Sequence, residues 1–315
     1  MKHPWKDSIY RQREYLALML HEPFVHLADK CISAWGNRQE LNDVLIKEFA
    51  TIPYCTFVYC LNTDGLQICD NVSKDGIISG HFARDRSQRP YMKEAVPAWG
   101  FLLSDAYISL SKQRPSITAL HIVRRNKEVL GYLGADFDLR DLPVMSELYE
   151  ESGAWRQVKG DPAIRGQVFQ QCRVESPMDK NLSQALSILE EFLTHRGVFQ
   201  CQIHYSSSQA TIWTVDDPYR YRILDQDALN DPDICMIYPA SSYPDNALIP
   251  SNDIAEILNT LASLRMADEN IYLRMSSINI FNGMLSLTFS CDGSHYMRYD
   301  EFMAKNIGFW FGKMK

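Results

Sequence analysis

The 315-residue chain has no long run of charge of either sign: its 32 Lys and Arg and 39 Asp and Glu are interspersed, giving a formal net charge of −7. Binding to a phosphate backbone needs a positive field, so nucleic acid is not an expected partner. The most basic stretch, Arg84 to Arg89, is interrupted by Asp85 and is too short for a groove-binding surface. No apolar run reaches the roughly 18 residues of a membrane span, and the opening Met1-Lys2-His3-Pro4-Trp5-Lys6-Asp7 has no signal-peptide core. Together these absences make a cytoplasmic location the expectation. There is no Cys-x-x-Cys pair among the eight cysteines (31, 55, 60, 69, 172, 201, 235 and 291), and no histidine stands near them at zinc-finger spacing. Buried free thiols in a reducing compartment are therefore expected, with neither metal nor cofactor.

What is present is the composition of an ordinary globular protein, 46% hydrophobic and 23% charged, long enough for two domains. Residues 8–35 carry helical periodicity that Pro23 is expected to kink or divide, and a second helix is expected at about 39–51. Tyr54 to Leu61 and Leu66 to Cys69 flank Asn62-Thr63-Asp64-Gly65, which predicts a hairpin. An irregular stretch with a short helix at Tyr91 to Val96 follows, then strands at Leu102 to Leu110, Ile117 to Arg124 and Val129 to Phe137. No βαβ alternation occurs, so an antiparallel sheet with helices on one face is expected rather than a parallel one. Beyond a connector at 144–177, a second α+β unit is expected. Its helices are placed at Leu182 to His195 and, after Ser251 as cap, through Ile254 to Leu264. Its strands are placed at Val198 to Tyr205, Ala210 to Val215, Tyr219 to Leu224, Ile234 to Tyr238, Ile271 to Phe281 and Met284 to Ser290. The Asn282-Gly283 pair is the strongest hairpin signal in the chain, and no internal repeat is visible.

Candidate binding residues concentrate between 81 and 115. Arg89 and Tyr91 straddle Pro90, which fixes their local backbone; a guanidinium fork suits a carboxylate, although an isolated loop arginine is more commonly a surface residue. The period of two places Asp105, Tyr107 and Ser109 on one strand face, with Leu103 breaking the alternation. Asp136 closes a largely apolar strand, where it serves equally as a cap or a ligand. Weaker signals have bland readings: the acidic run Asp225 to Asp233 lacks the glycine and glutamate of a calcium loop and reads as a solvated loop. Likewise His21 and His26 do not share a helix face, and Cys291-Asp292-Gly293-Ser294-His295 reads as a turn.

In order, Asp64-Gly65, Arg89-Pro90-Tyr91 with Ala95, Ser104 to Ser109, Pro115-Ser116-Ile117 and Gly131 to Leu139 resemble the Cache (PDC-type) sensor domains of bacterial chemoreceptors and sensor kinases, over residues 1–143. The resemblance implies a long N-terminal helix beside a PAS-like antiparallel sheet, with a ligand cavity under the helical excursion. It also implies roles: Arg89 and Tyr91 for a ligand carboxylate, and Tyr107, the residue at 109 and Asp136 for an ammonium. Here Ser109 stands where that pattern has Asp, and Met92 where a second aromatic is common, so a carboxylate or another small polar metabolite fits the charges better than an α-amino acid.

The expectation is thus an α+β protein with a Cache-like domain at 1–143 that binds a small polar, carboxylate or amino-acid-like ligand for signal transduction, a connector at 144–177, and an α+β domain at 178–315. No enzyme signature and no GGDEF, EAL or histidine-kinase motif is found. A homodimer through the N-terminal helix, by way of Leu16 and Met19, and a signalling partner are expected. The alternatives are an enzyme with its active site in the C-terminal half, regulated by the N-terminal domain, and a scaffold whose cavity its own side chains fill.

Overall fold

The computed structural model describes residues 4–93, 96–97, 99–110, 112–145, 172–291, 293–305 and 307–311. Its contacts form two compact units, Met1–Tyr149 and Glu150–Lys315. Of the expected connector at 144–177, residues 146–171 lie outside the described residues.

The first unit opens with helix α1 (Pro4–Ala34), which runs through Pro23 instead of dividing there. A proline inside a helix costs about 3 kcal/mol. Here that cost is offset by burial on both sides of it: Leu16, Leu20, Phe24, Leu27 and Cys31 make one fully buried stripe at helical spacing. Because Leu16 lies in this core, it is not the dimer surface expected of it. Helix α2 (Arg38–Glu48) is capped by Asn37, whose side chain accepts the Gln39 and Glu40 N–H groups.

These helices adjoin an antiparallel sheet of β1 (Phe57–Asn62), β2 (Asn71–Ser73), β3 (Gly76–Ile78), β4 (Phe101–Leu103), β5 (Tyr107–Ile108), β6 (Pro115–Arg125) and β7 (Glu128–Asp138). The order is β3-β2-β1-β7-β6-β4, with β5 also on β6. Phe24 of α1 meets Phe101 and Phe137 at ring distances of 5.3 and 6.5 Å, so the face carrying Leu133, Ala135 and Phe137 is the core face. By the period of two, Asp136 belongs to the opposite face, level with Thr118 on β6 and Phe57 on β1.

Three local expectations differ from what forms. The hairpin after β1 pairs it with β2, Val58 opposite Val72, whereas residues 66–69 are joined through a single bridge, Leu61 to Gln67. The strand expected over Leu102 to Leu110 breaks between β4 and β5, because the Ser104 hydroxyl accepts the Thr118 N–H in place of a ladder carbonyl. The short helix at Tyr91 to Val96 is one 3₁₀ turn, Pro90–Met92, with 94 and 95 outside the described residues.

The second unit contains α3 (Pro177–Lys180), α4 (Leu182–His195), β8 (Val198–His204), β9 (Gln209–Thr214), β10 (Tyr221–Leu224), α5 (Gln226–Leu229), α6 (Ile254–Met266), β11 (Leu273–Asn279), β12 (Met284–Phe289), β13 (Ser294–Arg298), α7 (Tyr299–Met303) and α8 (Ile307–Phe311). Helix, three-strand meander and short helix occur twice in succession, a repetition that side-chain identity conceals. The two meanders join through β8 and β11 into one antiparallel sheet, β10-β9-β8-β11-β12-β13, and α4 packs on both β8 and α6. Arg265 of α6 is fully buried and makes a bidentate pair with Asp179 of α3 at 2.9 and 2.8 Å, while its third nitrogen donates to the Leu273 carbonyl at 3.0 Å. Burial raises the Asp179 pKa, but hydrogen bonds from Arg265 and the Ser176 N–H outweigh it and hold the carboxyl below its ordinary value.

Four expectations in this unit change. Ile234 to Tyr238 is not a strand but the end of a 3₁₀ helix, Pro232–Ile237, started by Pro232 and capped by Asp231. The acidic run at 225–233 is not a solvated loop, because Asp225 caps α5 and Ala228, Leu229 and Asp233 are buried. Ser251 begins a 3₁₀ turn ahead of α6 instead of capping the helix. His295 belongs to β13 and not to a turn.

Candidate functional site

On the sheet face away from α1, a cavity of about 150 Å³ opens between β1, β5, β6 and β7 and the excursion after β3. It is far larger than a single water needs, so the scaffold reading with a filled interior does not describe this unit. Its wall includes Arg89, Tyr91, Tyr107, Ser109 and Asp136, which come together from positions up to 47 residues apart in the chain (136 − 89). Asp105 is not among them. It sits in the break between β4 and β5 with its side chain 76% exposed, paired with Arg13 of α1.

The centre of the wall is a residue that sequence reasoning passed over. Arg86 is only 4% exposed, and its backbone N–H donates to the Gly65 carbonyl at 3.0 Å, which fixes the loop against the turn after β1. Its guanidinium donates to Gln67 Oε1 at 2.8 Å, Asn71 Oδ1 at 3.0 Å and the Tyr91 hydroxyl at 3.2 Å, and lies 3.8 Å over the Tyr59 ring. The Tyr59 ring has room there only because residue 134 is glycine: a Cβ at Gly134 would stand 2.6 Å from a Tyr59 ring carbon. Burial works against the Arg86 charge, yet Tyr59, Tyr91 and Asp136 more than compensate, so its pKa is raised.

Asp136 completes the network. Its Oδ1 accepts from the Tyr59 hydroxyl at 2.8 Å and from Thr118 Oγ1 at 2.7 Å, and its Oδ2 faces Arg86 Nη1 at 3.7 Å. Since Thr118 spends its proton on Asp136, Tyr107 donates to Thr118, their oxygens 2.7 Å apart. Burial raises the Asp136 pKa, and Arg86, Thr118, Tyr59 and Arg89 oppose the rise. Burial first, and Asp136 second, raise the Tyr107 pKa, so its hydroxyl stays a neutral donor. Every polar group of this inner layer has a partner, which fixes the wall in one geometry before anything binds.

In an outer layer, two groups are left without a partner among the described residues. Among the described residues the Arg89 guanidinium has no hydrogen-bond or ion-pair partner, although it is close enough to influence both Asp136 and Tyr107. Arg84, His81 and Lys112 stand on the same wall, Arg84 3.3 Å from His81 Nδ1. The Thr56 hydroxyl, also on the wall, is buried without a partner. The signal that sequence reading could have used for the inner layer is Gln67 and Asn71, polar side chains that are fully buried beside apolar neighbours. Among the described residues no group of His, Cys, Asp or Glu could hold a metal ion.

No family model matches the sequence, and no curated protein matches it. Among the solved structures that match are chemoreceptor ligand-binding domains. One is the ligand-binding domain of the Campylobacter jejuni chemoreceptor Tlp3 in complex with L-norvaline, at 14% identity and TM-score 0.35 over 44% of this chain and 55% of that one. Another is that of the Pseudomonas fluorescens chemoreceptor CtaA with L-isoleucine, at 14% identity and TM-score 0.32 over 43% and 53%. A third is an extracellular ligand binding receptor from Desulfohalobium retbaense, at 12% identity and TM-score 0.34 over 44% and 26%. These neighbours are Cache-type domains, and the likeness takes in only a quarter to just over half of each of them. By its own helices and antiparallel sheets the chain is α+β, as expected from its sequence.

Proposed function

We propose that the first unit is a ligand-sensing domain whose cavity binds a small polar metabolite through Arg89, Tyr91, Tyr107 and Ser109 against the Arg86–Asp136 wall. The observation that carries this is the division of the wall into two layers. The inner layer is fully partnered, while the outer layer presents to the open space a guanidinium without a partner among the described residues, and the Thr56 hydroxyl beside it is buried without a partner. A protein does not gain stability by holding an arginine without a partner at a cavity; a ligand supplies one. Sensing then follows from a difference in ligand affinity between two packings of the sheet against its excursion, which the second unit passes to a partner.

A second copy of the chain docking along α1 would use Tyr10 and Leu18, which are exposed, and not the buried Leu16. All eight cysteines are free thiols, which favours a reducing, cytoplasmic setting for the protein.

The test is a thermal-shift screen of the chain against amino acids, organic acids, amines and nucleobases, repeated on Arg89→Ala. A compound that raises the Tm of the wild type and not of the variant supports the reading, since ligands stabilise by binding the folded state. A shift that survives in Arg89→Ala removes the cavity from the account.

A further inference from the structure

The charges around the cavity specify the charge of what enters it. Arg86 is committed to Asp136, with Nη1 3.7 Å from Oδ2, and to Gln67, Asn71 and Tyr91. Asp138, the other acid on the wall, lies 3.9 Å from Arg114 and accepts the Arg140 N–H. Both wall carboxylates are therefore already matched, while Arg84, Arg89 and Lys112 face the same space with no wall acid left to oppose them.

An α-amino acid brings one carboxylate and one ammonium. The carboxylate would meet Arg89, but the ammonium would find the Ser109 and Tyr107 hydroxyls and a field set by three cations. An ammonium taken out of water without a carboxylate partner is strongly disfavoured. A molecule with two negative ends has no such defect. One end takes the rigid fork of Arg89 in two hydrogen bonds, and the other lies toward Arg84 and Lys112 at the mouth.

We infer that the ligand is a compact dianion without an ammonium group, a dicarboxylate or a phosphate monoester, and that α-amino acids are excluded by the pairing of Asp136 with Arg86. The inference rests on the reading of this cavity as a ligand site.

Calorimetric titration of the full chain with succinate, L-malate, glycerol phosphate, L-isoleucine, L-serine and acetate tests it. At least one of the first three is expected to bind, more weakly as salt is raised, and to lose about 10- to 100-fold in affinity in Arg89→Gln. Whether the dicarboxylates or the phosphate monoester respond separates the two sources of the charge. Among the described residues the Arg89 guanidinium has no hydrogen-bond or ion-pair partner, and Gln leaves its backbone bonds in place, so the variant is expected to keep the wild-type circular dichroism and a Tm close to it. Binding of isoleucine or serine that Arg89→Gln abolishes overturns the dianion while leaving the sensor site standing, and so does binding of acetate as tight as that of any dianion. Binding of a dianion unchanged by Arg89→Gln overturns the inference as well. Heat from none of the six, with the protein folded, overturns the site and the inference together.

Discussion

Replacing Arg86 by methionine keeps most of the stem and removes the charge, so its cost measures what the guanidinium holds together. Four acceptors lose a donor or a countercharge: Gln67 Oε1, Asn71 Oδ1, the Tyr91 hydroxyl and the Asp136 carboxylate. Breaking a buried pair by removing one partner costs about 3–5 kcal/mol. The low end applies, because Asp136 keeps its hydrogen bonds from Tyr59 and Thr118 and, with its pKa already raised by burial, can take up a proton. A loss of about 3 kcal/mol corresponds to amide exchange on the order of 100-fold faster wherever exchange needs the unit to open. Hydrogen–deuterium exchange on the full chain should show this acceleration in β1 and β7, with β8 and β11 of the second unit as the internal reference. In the Arg86→Met/Asp136→Asn double variant part of the loss should return, since no carboxylate is left without its cation. An acceleration below about fivefold in the single variant, or costs that simply add in the double, would refute the account of the wall.

Three further perturbations have defined outcomes. Gly134→Ala puts a Cβ 2.6 Å from the Tyr59 ring and displaces it from beneath Arg86. A cost of about 1–3 kcal/mol in urea titration is expected, and an unchanged midpoint would contradict it. On α1, Leu16→Ala should cost about 2–5 kcal/mol because Leu16 is fully buried, while Leu18→Ala, at a site 77% exposed, should cost less than about 0.5 kcal/mol; equal effects would mean the helix is turned otherwise. In the second unit the lowered Asp179 pKa means stability that is fully present above its unfolded value of about 3.9 and is lost as pH falls through the lower folded value. Urea midpoints of wild type and Asp179→Asn should therefore differ at neutral pH and converge below about pH 4; a constant difference would remove Asp179 from the acid response.

Elements that repay a local pattern were legible. The 3.6-residue period of Leu182 to His195 gives α4 to the residue, and Asn282-Gly283 marks a turn where Gly283 takes a φ of +67°. Where one distant contact decides, the pattern misleads. Pro23 reads as a helix breaker because the buried stripe on either side of it acts through β4 and β6. Ile234 to Tyr238 reads as a strand because apolar residues with β-branching look alike whether they face a neighbouring strand or the interior of a 3₁₀ coil. In the site, Tyr91, Tyr107 and Asp136 were within reach of motif order. Arg86 was not, since one cation among four in a loop acquires its importance from Gln67 and Asn71, which nothing local connects to it.

The doubled arrangement of the second unit also bears on how it folds. Each helix and meander is a contiguous stretch, α4 to β10 and α6 to β13, whose strand pairings join neighbours in sequence. Chain segments far apart must meet chiefly along β8 and β11 and between α4 and α6. Local pairings close fast and distant ones slowly. The halves therefore assemble early and their docking limits the rate, so that a side-chain truncation at Leu287, within a meander already formed at that step, chiefly slows folding, while one at Ile278 on the seam also speeds unfolding.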